Sequence, residues 1–205
     1  MKKSYIICSL IFLFTGCNQI LVTGPEIKKE KTAFQTSSPW IPEIDVRSDI
    51  AIIYGANDRP GLTFKERVKS WRDRNYETHF MTGIAWGDYQ DYYLGKWDGQ
   101  NHMDVSQVEQ NGKQILHGEN NPYVVPVNSF IEYLKTEVIE KVIDAGISSI
   151  YLEEPEFWAR AGYSDLFKKE WQKFYGSPWK PQHESPENTY LSNKLKYQMY
   201  YDAIK

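Results

Sequence analysis

Short apolar runs alternate with longer amphipathic stretches along most of this chain. Residues 49–55, 78–86 and 149–153 are each predominantly apolar without a strict polar alternation, which indicates strands buried on both faces. Residues 123–127 form a further apolar run, which we predict as the third of four strands although Pro122 and Pro126 flank or interrupt it. Strand 149–153 would then be the fourth.

Helix signals fill the spaces between these strands. Thr63 and Glu66 form a capping box, and Phe64, Val68 and Trp71 share one face of the helix that follows. A long helix is predicted from Asn128 or Ser129 to Ala145-Gly146, with these positions facing inward: Ile131, Leu134, Val138, Val142 and Ile143. Ser164 and Ser185 are predicted to cap two further helices, the second with Pro186 in its first turn.

The strand–helix alternation predicts a parallel sheet and an α/β fold. A complete (β/α)₈ TIM barrel needs about 250 residues, so we expect residues 46–205 to form the N-terminal half of one. An excursion over residues 90–121 would be a β-hairpin insertion, since Asn111-Gly112 is a strong hairpin turn signal. The alternative is a complete small doubly wound domain, although neither G-x-G-x-x-G nor a Walker pattern occurs.

The two ends of the chain carry different signals. Residues 1–17 resemble a bacterial lipoprotein signal, with Lys2 and Lys3 before a short apolar run and Cys17 as the lipid acceptor; an ordinary cleaved secretory signal is the alternative. Residues 18–45 are predicted to be a flexible tether. The last helix has no stop signal before Lys205, so we expect the domain to continue beyond the sequence given.

Composition narrows the classes of function. The net charge is −3 and no basic run occurs, which argues against a nucleic-acid partner. Only two cysteines are present, both inside residues 1–17, so the domain has no disulfide and no cysteine nucleophile. The four histidines lack metal-ligand spacing, and we expect neither a metal nor another cofactor.

The fourth predicted strand ends in Glu153-Glu154-Pro155. Carboxylates at the carboxyl end of a parallel strand lie where α/β folds place their active sites. Adjacent residues of a strand point to opposite faces, so Glu153 and Glu154 cannot both face one site in the same way. Glu156 is a further candidate, in the following loop, and an acidic, solvated turn is the alternative interpretation.

This strand end resembles the Asn-Glu-Pro element at the end of the fourth strand in retaining (β/α)₈ glycoside hydrolases. Residues 167–176, followed by Trp179, are similar to a helix ending in Tyr-Gly in barrel beta-galactosidases. The resemblance covers residues 147–179 and implies a glycosidase fold and activity. It implies that Glu154 is the acid/base, and it puts Glu153 where many members have an asparagine that contacts the sugar. The second catalytic carboxylate would lie beyond Lys205, so the chain alone would be inactive.

Other strand ends supply candidate sugar contacts. Asp58 and Arg59 follow the first predicted strand, Trp86 and Asp88 follow the second, and Trp158 follows the fourth. Indole rings stack on sugar C–H faces, and charged side chains bind hydroxyl groups, although such aromatics are more often core residues. Asp58 and Arg59 could instead pair or cap the helix at Thr63.

We therefore expect a glycoside hydrolase-like protein, lipid-anchored at Cys17 in the bacterial cell envelope, acting on an oligo- or polysaccharide. One alternative is an envelope lipoprotein that binds glycan without cleaving it. Another is a scaffold lipoprotein that binds no saccharide.

Overall fold

Four parallel strands form the main sheet of the computed structural model, which describes residues 30–205. They are β1 (Ala33–Thr36), β2 (Ile50–Tyr54), β3 (Glu77–Gly83) and β6 (Ile150–Glu153), and they pair in the order β1-β2-β3-β6. Two short strands, β4 (Leu116–Gly118) and β5 (Asn121–Pro122), form a separate antiparallel pair. The predicted α/β class with a parallel sheet is therefore confirmed.

Strand β1 lies in the segment that the sequence analysis assigned to a tether. Ala33 pairs with Ile50 and Thr36 with Ile53, so the sheet begins well before residue 46. Asp49 strengthens this edge by accepting hydrogen bonds from the backbone N–H and the hydroxyl of Thr32, at 2.8 and 2.9 Å. The compact unit spans Lys31–Lys205. The signal at residues 1–17, Cys17 and the tether up to residue 29 lie outside the described residues.

Helices connect the strands and follow the last one. They are α1 (Phe64–Arg72), α2 (Gln90–Tyr93), α3 (Asn128–Tyr133), α4 (Glu140–Asp144), α5 (Asp165–Tyr175) and α6 (Pro186–Ile204), with a π-helical segment at Leu134–Ile139. Single 3₁₀ turns occur at Pro42–Ile44, Met103–Val105 and Gln182–Glu184. No helix among residues 30–205 is long and apolar enough to cross a membrane.

One face of the sheet carries the main core. Ile53 and Phe80 are fully buried there and belong to one cluster with Phe64 and Trp71 of α1. The capping box predicted for α1 is present: the Thr63 hydroxyl accepts the Glu66 N–H, and the Glu66 carboxylate accepts the Thr63 N–H. The cap therefore fixes where the helix starts and which of its faces meets the sheet.

The opposite face of the sheet is more exposed, and we call it the open face. Strand alternation and register put these residues on it: Ile52, Tyr54, His79, Met81, Tyr151 and Glu153. Tyr151 is 42% exposed, whereas Phe80 on the core face is fully buried. His79 links β3 to β6 through a 3.0 Å hydrogen bond between its Nδ1 and the Tyr151 hydroxyl.

The long predicted helix exists as α3, the π-helical segment and α4, which run continuously over residues 128–144. Leu134, Val138 and Val142 are buried as predicted, but Ile143 is 58% exposed. The prediction for Ile143 was wrong because successive residues of a helix are about 100° apart around its axis. Leu134, Val138 and Val142 are four residues apart and share the buried face, whereas Ile143 points away from it.

The predicted third strand at residues 123–127 is not a strand. Val124 instead donates its N–H to Ala85 O at 2.7 Å, and Val125 donates to Val105 O at 2.7 Å. Proline cannot donate to a ladder, which limits the pairing to isolated bonds. The turn predicted at Asn111-Gly112 is present, with the Glu109 N–H bonded to Lys113 O at 2.9 Å. Strand β6 is still the fourth strand of the sheet, because β1 replaces residues 123–127.

The C-terminal helices enclose a second core. Phe167 and Trp171 of α5 pack there with Val125, Leu195 and Met199. Ser164 caps α5 by accepting the Phe167 N–H, and Gly176 ends it in the left-handed conformation. Since Val125 directly follows the excursion, this core attaches the segment after the excursion to α5 and α6.

Candidate functional site

The carboxyl end of β6 presents the two adjacent glutamates. Glu153 is the last residue of the strand, pairs with Gly83 of β3 and lies on the open face. Glu154 leaves the strand with a φ of 48°, in the left-handed region that is uncommon for residues other than glycine. Its carbonyl accepts the Glu156 N–H at 2.7 Å, which closes a tight turn around Pro155. The two carboxylates therefore leave the strand in different directions.

Trp86 holds the Glu154 carboxylate in place. Its indole Nε1–H donates to Glu154 Oε2 at 2.5 Å. The His117 ring stacks on the indole, with 3.6 Å between ring centroids and 12° between planes. This stacking occupies one face of Trp86 and leaves less of the indole for a sugar than the sequence analysis expected.

A glycine at position 83 permits the turn that places Trp86. A Cβ on Gly83 would lie 2.2 Å from the Trp86 carbonyl oxygen, far inside van der Waals contact. The backbone of residues 83–86 therefore folds back on the end of β3 only without a side chain at position 83. This position couples the end of β3 to the Trp86–Glu154 hydrogen bond.

Together with burial, Glu154 raises the pKa of Glu153, and both glutamates raise the pKa of a neighbouring phenol. Burial raises the pKa of Glu153, and the charge of Glu154 raises it further. Burial also raises the pKa of Tyr54 to about 12, and the charge of Glu153 contributes to that shift. A carboxyl that is partly removed from water beside a second carboxylate retains its proton to higher pH than usual.

Two side chains remote in sequence, those of Gln107 and Tyr200, fix the loop after Glu154. Gln107 is fully buried; its Nε2 donates to Val124 O and Glu156 O at 2.9 and 2.8 Å, and its Oε1 accepts the Trp158 N–H at 2.9 Å. The Tyr200 hydroxyl reaches the Val124 and Glu156 carbonyls at 3.0 and 3.3 Å. The excursion and α6 therefore determine the path of the chain just beyond the glutamate pair.

Lys196 completes this clamp from α6. Its Nζ donates to Trp158 O at 3.3 Å, to Ala159 O at 3.1 Å and to Gln182 Oε1 at 2.8 Å. The side chain is nearly buried, with 3% of its surface exposed. All three ammonium protons have acceptors, so Lys196 is held in one position and binds the loop through its Trp158 and Ala159 carbonyls.

The predicted contact Trp158 lies in different surroundings from Trp86. The Arg160 guanidinium carbon lies 4.3 Å from the centroid of its ring, and Tyr123 packs edge-on at 5.4 Å. Arg160 is held there by an ion pair with Glu109, at 2.7 Å. The face of Trp158 that a sugar could use is thus shared with a guanidinium.

Asp58, Arg59 and Asp88 come together in one cavity of about 210 Å³ beside the ends of β2 and β3. Asp58 also caps α1, as the alternative interpretation held, because its Oδ1 accepts the Phe64 N–H at 2.7 Å. The Asn57 side chain donates to the Asp88 carbonyl at 2.7 Å and joins the two loops. No ion pair forms between Asp58 and Arg59.

Sequence reasoning missed several residues of this region. Arg67 is 2% exposed and lines the cavity of about 210 Å³, although it is a charged residue of α1. Its spacing in the apolar stripe of Phe64, Val68 and Trp71 was the signal that could have found it. Gln107 lies two positions after the buried Val105, and this spacing puts both residues on one face of an extended segment. His117 gave no local signal, since its contact with Trp86 depends on the excursion.

Within residues 30–205, no group of three or more metal-ligating side chains is arranged to hold a metal ion. The chain matches no family model, and it matches neither a curated protein nor a solved structure. The geometry of the residues described above is therefore the basis for the function.

Proposed function

We propose that residues 31–205 are the N-terminal half of a (β/α)₈ barrel. The four strands pair in their order along the chain and are all parallel, as consecutive strands of such a barrel do. A doubly wound sheet reverses its strand order at a switch point instead. The open face, with Tyr54 and Met81 on it, would then point towards the barrel interior.

We further propose that the chain is a glycoside hydrolase-like protein that acts on a glycan at the carboxyl edge of this sheet. The observation that carries the proposal is the glutamate pair: Glu153 with a raised pKa beside Glu154, which is bound by the Trp86 indole. Glycoside cleavage requires a group that retains a proton for the leaving oxygen. A second carboxyl group would stabilise or attack the sugar from the opposite side.

We propose roles within the pair that differ from those that the resemblance implies. The resemblance makes Glu154 the acid/base. Burial and like-charge repulsion favour Glu153 as the proton donor, because both raise its pKa. Glu154, exposed and hydrogen-bonded to Trp86, would be the charged neighbour that maintains this shift. The catalytic carboxylate that faces the pair would come from a later strand.

Hydrolysis of a panel of aryl glycosides tests the activity, using the protein with any continuation that its gene encodes. Glu153→Gln should abolish turnover of substrates with poor leaving groups and retain more with activated ones, because only the former need protonation. Glu154→Gln should shift the pH profile through loss of its charge. Glu156→Gln, on the same loop, is the matched control and should behave as wild type.

Turnover unchanged in both Glu153→Gln and Glu154→Gln would refute the assignment. Saccharide binding without turnover on any glycoside would support the alternative of a non-catalytic glycan-binding lipoprotein. The absence of both binding and turnover would support a scaffold.

We also propose export and lipid anchoring at Cys17, from the sequence of residues 1–17. Metabolic labelling with a fatty acid should modify the wild-type chain and should leave Cys17→Ala unlabelled. Cys8→Ala is the control, because Cys8 lies within the removed signal. Equal labelling of the wild type and Cys17→Ala would refute anchoring at this residue.

A further inference from the structure

Two arginines share the cavity of about 210 Å³ beside the ends of β2 and β3. Arg67 enters it from α1, and Arg59 from the loop after β2. Tyr54, Asp58 and Asp88 are among the other polar residues of its wall. Val138 of the π-helical segment also lines it, and π segments occur frequently at functional sites.

The Arg67 charge is buried without a carboxylate partner. Its guanidinium donates to four backbone carbonyls, those of Ser37, Tyr54, Gly55 and Asn57, at 2.6 to 3.2 Å. Burial and repulsion from Arg59 lower its pKa to about 10, so it stays charged at neutral pH. Carbonyl dipoles satisfy its N–H groups but do not neutralise its charge.

The two arginines and two aspartates of this wall carry equal and opposite formal charges, but they do not pair with one another. Asp58 is engaged elsewhere: it accepts the Phe64 N–H at the helix start, and its Oδ2 lies 3.8 Å from Lys141 Nζ. Arg59 forms no ion pair with any carboxylate in the described part of the chain. The Arg59 guanidinium is therefore available to a carboxylate of a ligand.

We propose that this cavity binds a carboxylate-bearing sugar, a uronate unit of an acidic glycan, with Arg59 as the residue that contacts the carboxylate. A guanidinium fork matches a carboxylate in two parallel hydrogen bonds. Arg67 lies beneath it as a fixed positive charge. The cavity is smaller than the pockets of about 300–1,000 Å³ that hold drug-sized ligands, which suits a single sugar unit.

The negative groups of the wall favour a sugar acid over an inorganic anion. Asp88 can accept hydrogen bonds from sugar hydroxyls, whereas it would repel sulfate or phosphate. A ligand with one carboxylate and several hydroxyls satisfies both kinds of side chain at once. The identification of the ligand as a sugar rests on the proposed glycan function. Recognition of its carboxylate by Arg59 does not depend on catalysis by Glu153 or Glu154.

Ligand-observed NMR on the full chain, with D-glucuronate, D-glucose and sulfate as separate probes, tests the proposal. Glucuronate should bind about tenfold or more tightly than glucose, since one hydrogen-bonded charge pair contributes about 1.5–3 kcal/mol. Arg59→Gln should remove that preference, and Arg59→Lys should retain part of it. Arg47→Gln, before β2, is the matched control and should change nothing.

Equal binding of glucose and glucuronate, or an unchanged preference in Arg59→Gln, would overturn the proposal. Displacement of glucuronate by equimolar sulfate would overturn it as well, because the site would then recognise only an anion. Glucuronate binding that depends on Arg59, in a protein without glycosidase activity, would support the cavity and refute only the proposed catalysis.

Discussion

Replacing Gln107 tests whether the excursion holds the loop that follows the glutamate pair. In Gln107→Leu the side-chain volume is nearly kept, but both Nε2 donors and the Oε1 acceptor are lost. The substitution leaves the Trp158 N–H without its acceptor and removes one donor from each of the Val124 and Glu156 carbonyls. Gln107 itself is fully buried, its contact with Val124 is buried, and its contacts with Glu156 and Trp158 are partly buried.

The expected loss of stability follows from these contacts. An unsatisfied buried group costs about 1–3 kcal/mol, so three fully unsatisfied groups would cost roughly 3–9 kcal/mol. The single proton of the Tyr200 hydroxyl is shared between the Val124 and Glu156 carbonyls and keeps them partly satisfied. We therefore expect Gln107→Leu to lower the free energy of unfolding by about 2–4 kcal/mol.

Urea unfolding followed by tryptophan fluorescence measures this change as a lower midpoint with an unchanged slope. Gln100→Leu is the matched control, because Gln100 is exposed and its hydrogen bond is made by its backbone N–H, which donates to Asp98 Oδ1. The free energy of unfolding of this variant should stay within about 0.5 kcal/mol of the wild-type value. A cost below about 1 kcal/mol for Gln107→Leu would show that the clamp does not hold the loop.

Gln107→Glu should make the stability of the folded protein depend on pH. An ionised carboxylate at this position would face two carbonyl oxygens, so the folded state would favour its protonated form and raise its pKa. Stability should then be greatest at low pH and should fall as the pH rises past about 4.3, the carboxyl pKa of the unfolded chain. A flat profile relative to wild type would contradict the geometry.

Three further substitutions examine the ends of β3 and β6. Glu153→Gln should unfold at higher temperature than wild type at pH 7 but not below about pH 4, because the raised pKa of Glu153 makes its ionisation cost stability as pH rises. Gly83→Ala should lose about 1–3 kcal/mol in urea unfolding, since its Cβ would meet the Trp86 carbonyl; no loss would contradict this turn. Trp86→Phe should cost about 1 kcal/mol through the lost hydrogen bond to Glu154, and a double-mutant cycle with Glu154→Gln should show coupling between them.

The main strands and helices were predictable because their apolar patterns are strong and local. β2 and β6 lie within the predicted apolar runs, and β3 overlaps its run but ends at Gly83 rather than at Trp86. The caps at Thr63, Ser164 and Ser185 start their helices as expected. β1 was not predictable in this way. It is four residues long, has an exposed edge and contains Gln35 and Thr36, so its pairing with β2 depends on the sheet.

The candidate site was predictable only in part. Glu153 and Glu154 could be found because an apolar strand ends abruptly in charge, and the loops with Asp58 and Asp88 could be found in the same way. The contacts that give these residues their properties come from residues distant in sequence. Gln107 reaches Glu156 across 49 positions, and Trp86 reaches Glu154 across 68. No local pattern contains such pairings.

At position 154 the fold requires a positive φ, whereas the carboxylate side chain is not needed for that turn. A non-glycine residue at a φ of 48° is less stable than glycine, with a cost of order 1–3 kcal/mol where the strain is fully present. The clamp of Gln107, Tyr200 and Lys196 holds the following loop whatever side chain stands at position 154, since it binds backbone atoms of residues 156–159. Glycine or asparagine would serve the turn equally well. What a glutamate adds is a hydrogen bond to Trp86, which stabilises the fold, and a charge that raises the pKa of Glu153, which bears on the proposed chemistry rather than on the fold.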